Sequence, residues 1–250
     1  MAKEDAFLSS SLHWALDHMS QAGFPITEPV ALQMDPALRI MGYAKHDPGK
    51  HVIVVAEWAL DSGMLGGLLL HELAHIYHTE KRTPSHQSAL VQEEIESIVT
   101  REGLTQTEAS YLADAFSHLQ NILVDDIVFN ILQSDRDLKQ VQKFFFEWVS
   151  ERPTGDPRLD AALLTRNAFA VASLGRRNLY DQQGEMAAKN KRFLTLYGDN
   201  AEEAFHAVER RLEEARTDLD ATEFRRTLRE YLDTMVSLMR RSQGALEELR

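Results

Sequence analysis

No cysteine occurs anywhere in the 250-residue chain. That excludes disulfides, thiolate metal sites and cysteine nucleophiles, so any bound metal has to be held by imidazole and carboxylate. Long apolar runs are missing too. The run MLGGLLL, Met64 to Leu70, is far too short to cross a bilayer as a helix, and the N-terminal MAKEDAFLSS is charged where a signal peptide has its apolar core. Nor is there a surplus of positive charge: 27 Lys+Arg against 39 Asp+Glu give a net charge of -12. The two signs are interspersed, which leaves little basis for the phosphate neutralisation behind nonspecific duplex binding. Internal repeats and low-complexity tracts are absent. A soluble, cytoplasmic protein with no nucleic-acid and no membrane partner is the expectation.

What the chain does have is 44% hydrophobic residues, enough to bury a core as one large or two small domains. Apolar positions from Phe7 to Met19 recur at helical spacing, and Gly23 and Pro25 close that segment. Val30 to Met34 and Ile40 to Ala44 read as strands on either side of an Asp35-Pro36 turn. A loop at Asp47, Pro48, Gly49 and Lys50 leads into HVIVVAEW, a β-branched run. The apolar stretch from Met64 through Tyr77 is long enough to be a helix, with Gly66 and Gly67 near its start permitting close packing. Further helices are expected over Leu90 to Thr100, Thr105 to Leu119 continuing into Asn121 to Leu132, and Leu138 to Val149. The turn-forming ERPTGDP follows. Leu159 to Leu174, Gln183 to Tyr197, Asn200 to Leu219 and Ala221 to Arg241 then read as amphipathic helices.

Chemistry concentrates in LLLHELAHIYHT, Leu68 to Thr79. His71, Glu72 and His75 form H-E-x-x-H, in which the i,i+4 spacing sets both imidazoles on one helix face within reach of one zinc ion. Glu72 faces the metal-bound water, where it can accept a proton. Burying such groups in an apolar helix is costly without a partner, which favours a metal site over packed or surface histidines.

A third ligand has to come from another segment. QNILVDDIVFN places Asn121 four residues before Asp125, and Asp126 four before Asn130. Asp126 with Asn130 is the first assignment and Asp125 with Asn121 its mirror. One acid can also ligate while its neighbour supports a ligating histidine. Glu93, Glu94 and Glu96 of QEEIES are the rival source. His118, seven residues before Asp125, is a candidate for the same pocket. Tyr77 and Tyr111 are candidates for oxyanion donation, and His86 lies in a loop within reach of the cleft, but these three and His78 lack diagnostic spacing and read first as structural. The HVIVVAEW strand is a candidate edge for pairing with an extended peptide.

In these residues the chain resembles the HExxH zinc metallopeptidases, in particular the compact gluzincin-like group. The likeness covers His51 to Val55, His71 to His75 and Asn121 to Asn130. It implies a cleft built by the strand and two helices, with His71 and His75 as zinc ligands. Glu72 is then the general base, and Asp126 or Asp125 the acidic third ligand. Aspartate stands where the thermolysin-like pattern has a ligand glutamate, and Asn130 stands where that pattern has an acid. The expected fold is α+β and zincin-like, a small antiparallel or mixed sheet beside the active-site helices, with a predominantly helical C-terminal portion. Residues 1–150 form the core in this reading and 151–250 a helical extension, integral or separate. The expected activity is zinc-dependent hydrolysis of peptide bonds in a peptide or protein substrate. Hydrolysis of another amide or an ester is the alternative, as is a zinc-stabilised interaction module. The C-terminal helices offer faces for a protein partner or a homo-oligomer.

Overall fold

The computed structural model describes residues 2–47 and 49–247. The architecture is α+β, mostly helical, with one small mixed sheet. The chain divides into two compact units. The first comprises residues 1–86 and 124–138, the second 87–123 and 139–250. The position 150 boundary expected from the sequence thus falls inside the second unit.

In the first unit α1 (Ala2–Gln21) precedes β1 (Val30–Asp35), β2 (Gly42–Asp47) and β3 (Lys50–Ala56). The strand order is β1-β3-β2, with β1 parallel and β2 antiparallel to β3. At the Asp35-Pro36 turn the Asp35 carboxylate accepts the Ala37 N–H at 2.8 Å, the self-capping typical of Asp. Strand β2 begins two residues later than its apolar start suggested, and Ile40 lies outside the strand at 56% exposure. Pro48 of the expected loop lies outside the described residues. Every residue of β3 from His51 to Ala56 is buried, which is why the sequence there runs continuously apolar instead of alternating.

The expectation that β3 offers a free edge is corrected by this topology. Its backbone groups are taken up by β1 on one side and β2 on the other, and β2 is an outer strand of the sheet.

Helix α2 (Leu65–Glu80) packs on α1 and on β2 and β3. Leu69, Leu70, Leu73 and Ile76 are fully buried. A side chain at Gly66 would bring its Cβ to 3.1 Å from the Trp14 ring, so the two helices meet there through a missing side chain. A 3-10 turn, Pro84–His86, follows α2. Residues 124–138, which include the last turns of α4 (Gln106–Ile131), complete the unit.

The second unit is helical. It holds α3 (Ser88–Glu102), the first turns of α4, most of α5 (Asp135–Trp148), α6 (Pro157–Gly175), α7 (Glu185–Tyr197), α8 (Ala201–Glu213) and α9 (Ala221–Glu247). Helix α6 packs against α7, α8 and α9, and α3 against α9. The two segments expected over Thr105 to Leu132 form the single helix α4, whose start is a capping box. The Glu108 carboxylate accepts the Thr105 N–H at 2.8 Å while the Thr105 hydroxyl accepts the Glu108 N–H at 3.3 Å. Helix α8 stops six residues short of the expected Leu219. There Asp220 begins the next helix by accepting the Thr222 and Glu223 N–H groups at 2.8 and 2.9 Å. Among the described residues no helix is long and apolar enough to cross a membrane.

Candidate functional site

The third turn of α2 brings His71 and His75 together with their Nε2 atoms 3.2 Å apart. Both rings are half-buried, so they remain reachable. Glu72 lies between them in sequence but is 6% exposed. Burial pushes its carboxyl up from the ordinary glutamate value, while His71 and the Ala44 backbone N–H on β2 pull the other way. The apolar helix and the sheet beside it therefore hold a carboxylate next to the histidine pair.

Behind His71, on its other ring nitrogen, stands Asp125. Its Oδ1 is 3.2 Å from His71 Nδ1, and its side chain is buried. A carboxylate accepts, so His71 Nδ1 carries a proton, and in the neutral ring Nε2 then holds the lone pair on the side of His75. This is the support a ligating histidine ordinarily receives from an outer carboxylate. Asp125 is thus in hydrogen-bonding reach of His71. Asp126 is half-buried one position on, turned about 100° around the helix by its geometry.

Behind His75 stands a third histidine. His86, from the 3-10 turn, places its Nε2 3.0 Å from His75 Nδ1, and its own Nδ1 is 2.9 Å from Ser85 Oγ. His78 stacks on the His86 ring at 5.0 Å and bonds Thr83 Oγ1 through Nδ1 at 3.1 Å. Burial, with the neighbouring His78, His46 and His71, pulls the His86 imidazole down to about 3, so it is neutral at physiological pH. A further group lies in the same unit. His46 and His51 approach through their Nδ1 atoms at 2.7 Å, and His51 Nε2 meets Glu80 Oε1 at 3.1 Å. Glu80 also accepts the Thr27 and Glu28 N–H groups. Six of the ten histidines thus fall between positions 46 and 86.

The remaining sequence candidates lie elsewhere. Asn130 is exposed, and its carbonyl accepts from Gln133. Asn121 and His118 belong to the second unit, where His118 stacks on Phe169 at 5.0 Å and contacts Trp148. Burial, and secondarily Arg166, pulls His118 down to about 3. The rival glutamates are engaged within the second unit. Glu94 is held by Arg225 at 2.9 Å and Arg229 at 2.8 Å, Glu93 by Arg225 at 2.6 Å, and Glu96 accepts from Gln92. Tyr77 packs edge-on against Phe24.

Two zinc–nitrogen bonds of about 2.05 Å at a tetrahedral angle set their nitrogens about 3.3 Å apart. The His71–His75 separation of 3.2 Å fits that edge. Among the described residues, no three His, Asp or Glu side chains are grouped so as to hold a metal ion, so the fit extends to two corners of a tetrahedron. His86, a loop candidate in the sequence, does reach His75, while Ser85 and Ala44 carry no sequence signal. They reach the site through a turn and a strand pairing.

One family model, described as a family of unknown function (DUF5781), matches residues 4–236. The chain belongs to that family. The matched stretch spans HELAH, Ser85, His86 and Asp125. No curated protein and no solved structure matches the chain.

Proposed function

We propose that this DUF5781 chain is a zinc-dependent peptide hydrolase with His71 and His75 as metal ligands and Glu72 as general base. One observation carries the reading: the two Nε2 atoms face each other at a chelating distance, on the helix that also buries Glu72. Zinc, when bound, supplies a water of lowered pKa and polarises a carbonyl. The chain's own groups do the rest. Asp125 holds the Nδ1 proton of His71 and keeps its Nε2 lone pair aimed at the site. Glu72, steadied by the Ala44 amide, takes a proton from the attacking water and returns it to the departing amine. Asp126 is the candidate third ligand. Strand β2, which carries Ala44, replaces β3 as the strand against which an extended substrate would pair.

Glu72→Gln is the direct test, with zinc content and cleavage of a library of quenched peptides measured together. Zinc should be retained while turnover falls at least about 100-fold, the usual cost of losing a general base. Unchanged turnover would rule out the role of Glu72. Cleavage of esters or small amides with no peptide turnover would move the assignment to another hydrolase. A zinc-stabilised interaction module is the competing reading. It requires a closed site with four protein ligands and no turnover on any substrate.

A further inference from the structure

Two buried nitrogens of neighbouring side chains in the second unit have no hydrogen-bond partner among the described residues, His118 Nδ1 on α4 and Arg166 Nε on α6. His118 is 9% exposed. Phe169, which stacks on its ring at 5.0 Å, follows Arg166 by three residues on α6, a spacing that puts both side chains on one helix face. Arg166 is close enough for its charge to act on the imidazole. Trp148 meets both rings, 6.3 Å from His118 and 5.7 Å from Phe169, so the surroundings are aromatic.

Arg166 is also without a counter-charge. Its Nη2 donates to the Ser150 hydroxyl at 2.7 Å, yet among the described residues no carboxylate pairs with it, in a chain of 39 acids. Glu151, beside Ser150, is taken by Arg192 at 2.8 Å. Asp114, one turn before His118 on α4, is exposed. Burial is what pulls the guanidinium down from its ordinary value, and a half-buried cation with no acid beside it is costly. Ser150 is itself anchored. Its N–H donates to Asn167 Oδ1 at 2.8 Å, and its carbonyl accepts from Asn167 Nδ2 at 2.9 Å. Asn167 is fully buried, so the hydroxyl that orients Arg166 is fixed to the helical framework.

We propose that Arg166 and His118 are the two donors of a carboxylate site, filled by a small monocarboxylic acid. The site is independent of the zinc reading above. A guanidinium offers parallel N–H groups that match the two oxygens of a planar carboxylate. Arg166 has Nε–H free for one oxygen and a second N–H on Nη2 for the other. His118, a neutral ring, adds an N–H from Nδ1. One positive charge with one neutral donor balances a monoanion, whereas a phosphate dianion would leave negative charge among aromatic rings. The aromatic walls exclude water and so strengthen the pair.

The test is a titration of the full chain, labelled at histidine, with sodium acetate and sodium benzoate, read by the His118 ring resonances and by calorimetry. Benzamide and sodium phosphate are the comparisons. Either acid should give a saturable His118 shift, and benzamide none. Affinity should fall at least about 10-fold in Arg166→Gln, and likewise in His118→Phe, which keeps a ring against Phe169; that is the cost of a hydrogen bond to a charged group. Arg166→Lys, with the charge but not the fork, should recover only part. Tighter binding of a short peptide with a free C-terminus than of its amidated form and of benzoate would assign the carboxylate to a chain end. No saturable shift with either acid at millimolar concentration would leave water as the partner of both nitrogens and overturn the site. Tighter binding of phosphate, or equal acid affinity in the wild type and both deletions, would overturn it as well. Should the variants fail to fold, benzamide binding as well as benzoate to the wild type decides against it alone.

Discussion

Single residues decide what this site can do, and the closest discrimination is between Asp125 and Asp126. Neighbouring positions on a helix diverge by about 100°, so the two acids leave α4 in different directions. Asp125 meets His71 Nδ1, the nitrogen turned away from His75, which casts it as a support and not as a donor to metal. Asp125→Ala should weaken zinc binding about 10- to 100-fold without changing its stoichiometry, measured by competition with a chromophoric chelator. A lost oxygen ligand in the zinc absorption spectrum of that variant would show Asp125 to be a ligand after all. His71, Glu72 and His75 were legible in the sequence because i,i+4 spacing is a local property of any helix. The choice between the two acids was not, because it depends on how α4 is rotated about its axis, which tertiary packing sets. His86 was visible only as a loop histidine within reach of the cleft, and its contact with His75 was not legible for a related reason. Its approach to His75 follows from a turn in which Arg82 takes a positive φ of 54° and the Thr83 N–H returns to the His78 carbonyl. No spacing rule encodes that path.

Elements place these residues, and their ends are held by charge. Burial pushes the Glu108 carboxyl up, but the Thr105 N–H and hydroxyl together with Arg158 outweigh it and hold the group down to about 2. In the unfolded chain a glutamate titrates near about 4.3. The folded form therefore gains stability that is full above that value and lost as the pH falls toward 2. Glu108→Gln should lower stability at neutral pH by about 1–3 kcal/mol and flatten the acid limb between those values, as read by urea unfolding at several pH values. An acid limb identical to wild type would remove Glu108 from the account. The helices themselves were largely visible as apolar periodicity, and the α8 overrun came from amphipathic residues that continue past Glu213 into a loop. The sheet was legible in content but not in order. HVIVVAEW reads equally well as a central or an edge strand, and only pairing with both β1 and β2 shows that it is central.

At the scale of the molecule, the sequence suggested a cut near residue 150 because the motif-bearing segments end before it. The compact units divide differently, since residues 124–138 belong with 1–86 despite the intervening helices. A discontinuous unit of this kind leaves no composition change to read at its borders. It does place Asp125, from far along the chain, in the same unit as HELAH. The chain's chemistry accordingly rests on one claim, that His71 and His75 are a metal pair. The most direct measurement is zinc-edge X-ray absorption on the full chain after loading and dialysis, comparing wild type with His71→Ala/His75→Ala. The account predicts about one zinc per chain with two imidazole nitrogens among its ligands and an oxygen-bound open position, all lost in the double variant. No retained zinc in the wild type, or an unchanged spectrum in the double variant, would contradict it.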